Sequence, residues 1–224
     1  MKTVVGVDAY RGGWVTVALH NGLVEGCGAY TRFEKLLNDH SDASVVGVDI
    51  PIGLPVSGAR EADKLARTFI GPRRNSVFPP PPRSMLEAGT YRAALDLARE
   101  LGVAGVSKQS FGLAPKMLEV DGIARRDKRV LEVHPEVSFR AMAGQPLTWS
   151  KKSWNGASMR RMVLAQHDIV LPDDLGVAGL AAVDDVLDAA AAAWTAYRIS
   201  RGKAASLPSP PEELADGRKA AIWY

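Results

Sequence analysis

The sequence of 224 residues holds a single cysteine, Cys27, and only four histidines, which are scattered. That scarcity excludes an intramolecular disulfide and a thiolate-rich zinc site, and it favours a reducing compartment. No long uninterrupted apolar run is present. The nearest approach, Ala178 to Tyr197, is broken by Asp184, Asp185 and Asp188, each costly at the centre of a bilayer, so no membrane partner is expected. The N-terminus reaches Asp8 before any long apolar core or small-residue cleavage site can develop, which predicts a cytoplasmic protein. Missing too are a Walker A glycine-lysine pair, a Rossmann glycine pattern, a G-x-S-x-G elbow and any internal repeat. Charge of one sign is in short supply: the net charge is +3, which permits a polyanionic partner without requiring one.

What is present is a globular balance, with 46% hydrophobic and 24% charged residues, enough apolar surface to offset the entropy of folding. The length fits a single α/β domain spanning 1–224. Thr3 to Asp8 and Trp14 to Leu19 read as strands joined by a turn at Gly12-Gly13, and Asn21-Gly22 predicts a hairpin into a third strand, Leu23 to Tyr30. Thr31 with Glu34 has the spacing of a capping box for a helix carrying Phe33, Leu36 and Leu37. After that crossover, Ser44 to Asp49 is predicted to be a buried parallel strand.

From about 56 to 128 the pattern changes to helices around the Pro/Arg-rich stretch Gly71 to Arg83, which reads as an insertion with polyproline character. Arg129 to His134 resumes the strands. Helices follow near Pro135 to Ala143, Ser153 to Gln166 and Val183 to Ser200, and the pattern leaves the tail after Pro208 open.

The chemistry lies in the acidic residues. The phrase VVGVD occurs twice, at 4–8 and at 45–49, so Asp8 and Asp49 each close a short apolar strand. Ligand sites in open α/β sheets form beyond the carboxyl ends of parallel strands, and two such strands side by side bring these carboxylates together. Glu132 ends a third strand and is a candidate to join them. In Asp184-Asp185-Val186-Leu187-Asp188 the spacings of three and four put pairs of carboxylates on one helix face. Helix capping explains Asp184 well and Asp188 poorly. The alanines that follow, Ala189 to Ala193, make the helix thin enough for its backbone to approach a sheet closely. Carboxylates at close quarters repel unless a cation holds them, and hard oxygen donors select Mg²⁺ or Mn²⁺. A pair of such ions supports in-line phosphodiester hydrolysis.

These residues resemble a known family. Gly6-Val7-Asp8 with Arg11-Gly12-Gly13-Trp14, Val48 to Pro55, Ser76 to Pro79, Pro115-Lys116 before Glu119-Val120-Asp121, Glu132 to Glu136, Lys151-Lys152 and Asp184 to Ala189 are similar to phrases of the DUF429 family of predicted ribonuclease H-like nucleases. The resemblance covers nearly the whole chain. It implies a mixed five-stranded sheet of order 3-2-1-4-5 with strands 1–3 antiparallel, helices on both faces and the insertion between strands 4 and 5. It also implies that Asp185 and Asp188 complete a metal shell with Asp8 and Asp49. Ala9-Tyr10 stands where the family commonly has Gly-Cys, so no cysteine chemistry is expected there.

The expected activity is therefore a divalent-metal-dependent nuclease or phosphodiesterase, with Asp8, Asp49, Glu132, Asp185 and Asp188 catalytic and all but Glu132 binding metal. Arg67, Arg73, Arg74, Lys116 and Lys151 are candidates to hold a nucleic-acid phosphate, although Arg67 also has the spacing to pair with Asp63. Phe78 and Trp154 are candidates to stack on bases, and His134 to move a proton. The alternatives are a non-catalytic module binding nucleic acid or protein, and an actin-like phosphotransferase; DNA or RNA as substrate, and a monomer or homodimer, stay open.

Overall fold

The computed structural model describes residues 2–214 and 217–224. Three antiparallel strands open the chain: β1 (Thr3–Tyr10), β2 (Gly13–His20) and β3 (Leu23–Tyr30). The second hairpin turns on Asn21 and Gly22, both at positive φ, the conformation for which an Asn-Gly pair is suited. Helix α1 (Phe33–Asp39) crosses over to β4 (Val45–Val48), which pairs parallel with β1 in the register Val4↔Val45 to Val7↔Val48. The strand β5 (Val130–Glu132) pairs parallel with β4, completing a five-stranded sheet of order β3-β2-β1-β4-β5. This is the order that the family resemblance implies.

Side chains alternate across the sheet with period two. Val4, Val17, Leu19 and Val45 pack with α9 (Val183–Ser200), α7 (Pro135–Ala143) and α8 (Trp154–Ala165) on one face. Val5, Val7, Val46, Val48 and Val130 pack with α1 and α6 (Ala114–Ala124) on the other. Trp14 meets Phe33 edge to face there, with ring centroids 5.0 Å apart; burying each such ring contributes about 2 kcal/mol or more.

Between β4 and β5 the chain is helical, as the sequence predicts: α2 (Glu61–Ile70), a 3-10 turn (Gly71–Ser76), α3 (Arg83–Leu86), α4 (Tyr91–Glu100), α5 (Lys108–Gly112) and α6. Met85, Ala94, Ala98 and Val106 give part of this region a small core of its own. The tail is not loose: β6 (Ser206–Glu213) and β7 (Lys219–Trp223) form a two-stranded sheet, and Trp223 bridges to Val133 just beyond β5. No helix among the described residues is long and apolar enough to cross a membrane.

The capping box expected at Thr31 does not form. The residue flanking α1 is Arg32, Glu34 pairs with Arg32, and the Phe33 amide donates instead to Glu119 Oε1 at 3.0 Å, from α6. A tertiary acceptor thus replaces the local one.

Candidate metal centre

Asp8 lies within β1, and Asp49 follows β4 directly, its amide donating to the Val7 carbonyl at 3.0 Å. That bond carries the parallel ladder one residue past the strand and sets Asp49 beside Asp8. Because Asp8 shares parity with Val4 and Gly6, and Asp49 with Val45 and Gly47, both carboxylates face α9.

Gly6 and Gly47 are partners in the register and lie under the alanine run. A Cβ at Gly6 would stand 2.1 Å from both the Ala189 carbonyl oxygen and the Ala193 nitrogen, and one at Gly47 would stand 2.9 Å from the Ala192 carbonyl oxygen. Two glycines below and a row of alanines above therefore let helix backbone rest almost on strand backbone. Lys2 Nζ donates to the Ser200 carbonyl, so the C-terminal end of α9 lies at the start of β1 and the helix runs antiparallel to that strand. This places Asp188, one residue before Ala189, over the carboxyl ends of β1 and β4.

Asp8, Asp49 and Asp188 consequently present one carboxylate oxygen each, all within 4.8 Å of one another. Asp8 and Asp188 are buried and Asp49 is partly open to solvent. Burial and then the charges of Asp49 and Asp188 hold the Asp8 carboxyl well above the usual carboxylate range. Asp49 is raised by burial, against the pull of His134 and Lys151. Asp188 is pushed up to about 7 by burial, with Lys151 opposing and Asp49 adding.

Lys151 Nζ donates to Asp188 Oδ2 at 2.5 Å and lies 3.8 Å from Asp184. Burial opposes its charge, but Asp188, Asp49 and Asp8 outweigh that and raise its pKa above the ordinary lysine value. The other oxygen of this carboxylate, Asp188 Oδ1, is buried without a hydrogen-bond partner. An orphaned carboxylate oxygen beside two further carboxylates is the arrangement that a hard divalent cation satisfies. Oxygens bound to one octahedral Mg²⁺ lie about 3 Å apart when adjacent and about 4 Å apart when opposite, so the three aspartates, now within 4.8 Å of one another, would close on such an ion by rotation of their side chains.

Six of the residues singled out in the sequence, Glu132, Asp185, Lys116, Arg67, Arg73 and Arg74, stand outside this group. Glu132 pairs with Val48 in the β4–β5 register, and paired residues point to the same face, so it lies on the face opposite Asp8 and Asp49. There it accepts from Arg60 through both oxygens, at 2.7 and 2.8 Å, and from the Ile52 amide at 2.7 Å. Asp63 holds the same guanidinium at 2.6 Å, which removes it as the partner expected for Arg67. Asp185 is the third residue of α9 and accepts from the amide of Ala182, the residue flanking the helix; this is one half of a capping box and keeps it out of the three-carboxylate group. Burial and Asp184 raise its pKa.

Lys116 donates to the carbonyls of Tyr10, at 2.7 Å, and Gly13, and lies 4.8 Å from the centre of the Trp14 ring. It fastens the first hairpin and is not turned outward to a phosphate. Lys151 is the counter-charge within the acidic group.

Arg67 reaches the Val77 carbonyl at 2.9 Å, Arg73 the carbonyls of Leu147 and Thr148 at 3.1 and 2.8 Å, and Arg74 is exposed. His134 Nε2 lies 3.3 Å from the Ser76 carbonyl oxygen, which can only accept, so that nitrogen carries the hydrogen. Its Nδ1 is buried without a partner. Sequence reasoning missed Arg60 and Glu136. Glu136 is buried against Arg160, and its charge raises both Asp49 and Asp188; its signal in the sequence was its place at the end of the family-like phrase Glu132 to Glu136.

A family model described as protein of unknown function, DUF429, matches residues 6–213. No curated protein and no solved structure matches the chain.

Proposed function

We propose, for a chain that belongs to the DUF429 family, that Asp8, Asp49 and Asp188 hold a divalent cation, Mg²⁺ or Mn²⁺, in a site that hydrolyses a nucleic-acid phosphodiester. The observation that carries this reading is the convergence of three aspartates from three separate segments within 4.8 Å, one of them with an unpartnered buried oxygen. A cation held there supplies Lewis acidity toward water and toward a phosphoryl oxygen. The three side chains fix that charge at the carboxyl ends of two adjacent parallel strands, and Asp49, the one of the three partly open to solvent, gives the side from which a substrate enters. Lys151 adds a positive charge at the same point, suited to a phosphate oxygen. His134, with its hydrogen on Nε2, offers the Nδ1 lone pair for a proton taken from water.

The test is direct. Calorimetric titration of Mn²⁺ into the metal-stripped protein is expected to show a site that Asp8→Asn and Asp49→Asn each remove, and a panel of labelled DNA and RNA oligonucleotides is expected to be cut by wild type alone. Failure of wild type to take up Mn²⁺ would end the proposal. A second reading has one observation in its favour, the Lys151–Asp188 bond: Lys151 is the permanent counter-ion and the fold is a binding module that does not cut. In that case Lys151→Met would unfold the protein, whereas under the hydrolytic reading it leaves Mn²⁺ binding intact.

A further inference from the structure

Among the described residues, the exposed tryptophans and phenylalanines are three: Phe78, Trp149 and Trp154, at 57%, 48% and 83% exposure. Large rings left in water are unusual, because burial of an aromatic contributes more than that of almost any other side chain. Their placement is not scattered. All three belong to two short segments, 71–78 and 147–154; the second touches the carboxylate site and the first is joined to it through His134.

The first segment reaches the site through His134, whose Nε2 donates to the Ser76 carbonyl and whose ring is near enough to Asp49 to favour the ionised carboxylate. The second reaches it through Lys151 and its bonds to Asp188 and Asp184. Arg73 ties the two together by donating from the first segment to the Leu147 and Thr148 carbonyls of the second.

Cations accompany the rings. Beside Phe78, Arg67 reaches the Val77 carbonyl, and Lys64, Arg67 and Arg74 line a groove of about 640 Å³. Phe78 itself lines a different groove, of about 530 Å³, with the proline run and Val103 and Val106. Between Trp149 and Trp154 lie Lys151 and the exposed Lys152. Cationic grooves suit a phosphate backbone, and rings standing free in water suit the faces of bases. A duplex keeps those faces stacked on one another and offers exposed rings nothing to stack on. An unpaired strand offers both groups at once.

From this juxtaposition we propose that the substrate class of the carboxylate site is single-stranded nucleic acid, gripped through base stacking on Phe78, Trp149 and Trp154 and through phosphate contacts to Arg67 and Arg74. The inference rests on the reading of the aspartates as a phosphodiester site, and it adds which form of nucleic acid is presented to them.

The test uses the full chain carrying Asp8→Asn, in EDTA, so that binding is read without cleavage. Fluorescence anisotropy is measured with labelled 12-mers of oligo(dT) and oligo(U) and with a 12-base-pair DNA duplex. At least one single strand is expected to bind tenfold or more tightly than the duplex, and the ratio between the two strands tells DNA from RNA as the source. Adding Trp154→Ala or Phe78→Ala is expected to weaken single-strand binding about tenfold each, the order that one lost stack produces, with duplex binding unchanged. Adding Arg74→Ala weakens both and lowers the salt dependence. These side chains are exposed, so melting temperatures are expected to stay put, which separates lost contacts from lost folding. Equal or tighter binding of the duplex, or aromatic variants that bind as the parent does, overturns the inference. Mn²⁺ uptake by wild type is measured alongside. Uptake without strand preference removes this inference and leaves the metal reading, whereas strand preference without uptake supports the stacking surface and removes the hydrolytic reading.

Discussion

Replacing Asp8 by asparagine separates what the fold requires from what the cation requires. Two unit charges 4.8 Å apart at an effective dielectric near 20 repel by about 3.5 kcal/mol, and Asp8 faces two such neighbours, Asp49 and Asp188. Partial protonation and the nearby Lys151 ammonium offset most of that repulsion, which leaves about 2 kcal/mol to be relieved by the substitution. The isostere also keeps the local structure: Asp8 Oδ1 accepts from the Ala9 amide at 2.7 Å, and an asparagine oxygen can do the same. At 2–4 °C per kcal/mol for a domain of this size, the metal-stripped variant is expected to melt roughly 4–8 °C above wild type at pH 8. Mn²⁺ at about a hundred times its Kd adds about 2.7 kcal/mol to wild type, a rise of roughly 5–11 °C, and adds little to the variant. Scanning calorimetry on both proteins, with EDTA and with Mn²⁺, reads all four values. A variant that melts below wild type in EDTA, together with a wild type indifferent to Mn²⁺, would refute the electrostatic reasoning from its first step.

Other consequences can be checked in the same preparation. Burial pushes the Asp188 carboxyl up to about 7 from the ordinary aspartate range near 3.8, so between those values the folded state holds a proton that the unfolded chain has released; without metal, stability falls as pH rises through that window, by up to about 4 kcal/mol. The melting shift on adding Mn²⁺ is therefore expected to be larger at pH 8 than at pH 5, and an equal shift at both would contradict the assignment. Gly6→Val sets a side chain against the backbone of α9, and circular dichroism is expected to show a protein destabilised by more than about 3 kcal/mol; a stable variant would mean that the helix lies further out. Arg60→Met leaves Glu132 and Asp63 buried without their shared partner, a loss of about 3–5 kcal/mol in urea titration, while Mn²⁺ uptake by the folded fraction stays normal because this pair lies on the other face of the sheet. His134→Gln is expected to lower turnover about a hundredfold with metal affinity unchanged; unaltered turnover would strike the proton-transfer role.

The strands that carry Asp8 and Asp49 are legible because each is a short apolar run ending in one acidic residue, and alternation then fixes which face the acid takes. The thinness of α9 is equally plain in its alanines. What a single sequence does not encode is the register of a three-residue strand: nothing local tells whether Glu132 or Val133 points toward α9, and the parallel pairing with β4 decides it. The fates of Lys116 and Lys151 were hidden for a related reason. Both are long side chains whose direction is set by partners roughly 40 to 100 residues away. The β6–β7 ribbon escaped notice because β6 contains Pro208, Pro210 and Pro211, which lack the amide hydrogen that a ladder uses. Arg60, reading as an ordinary solvated residue ahead of a helix, carries no local sign of its burial.

The paired glycines beneath α9 give the site an unusual mechanics. Where two backbones touch, no side chain remains between them to yield, so the distance of Asp188 from the strand aspartates is set by main chain against main chain and not by the choice of a rotamer. The other end of the helix is held at Ser200 by Lys2, some eighteen ångströms away by helix length.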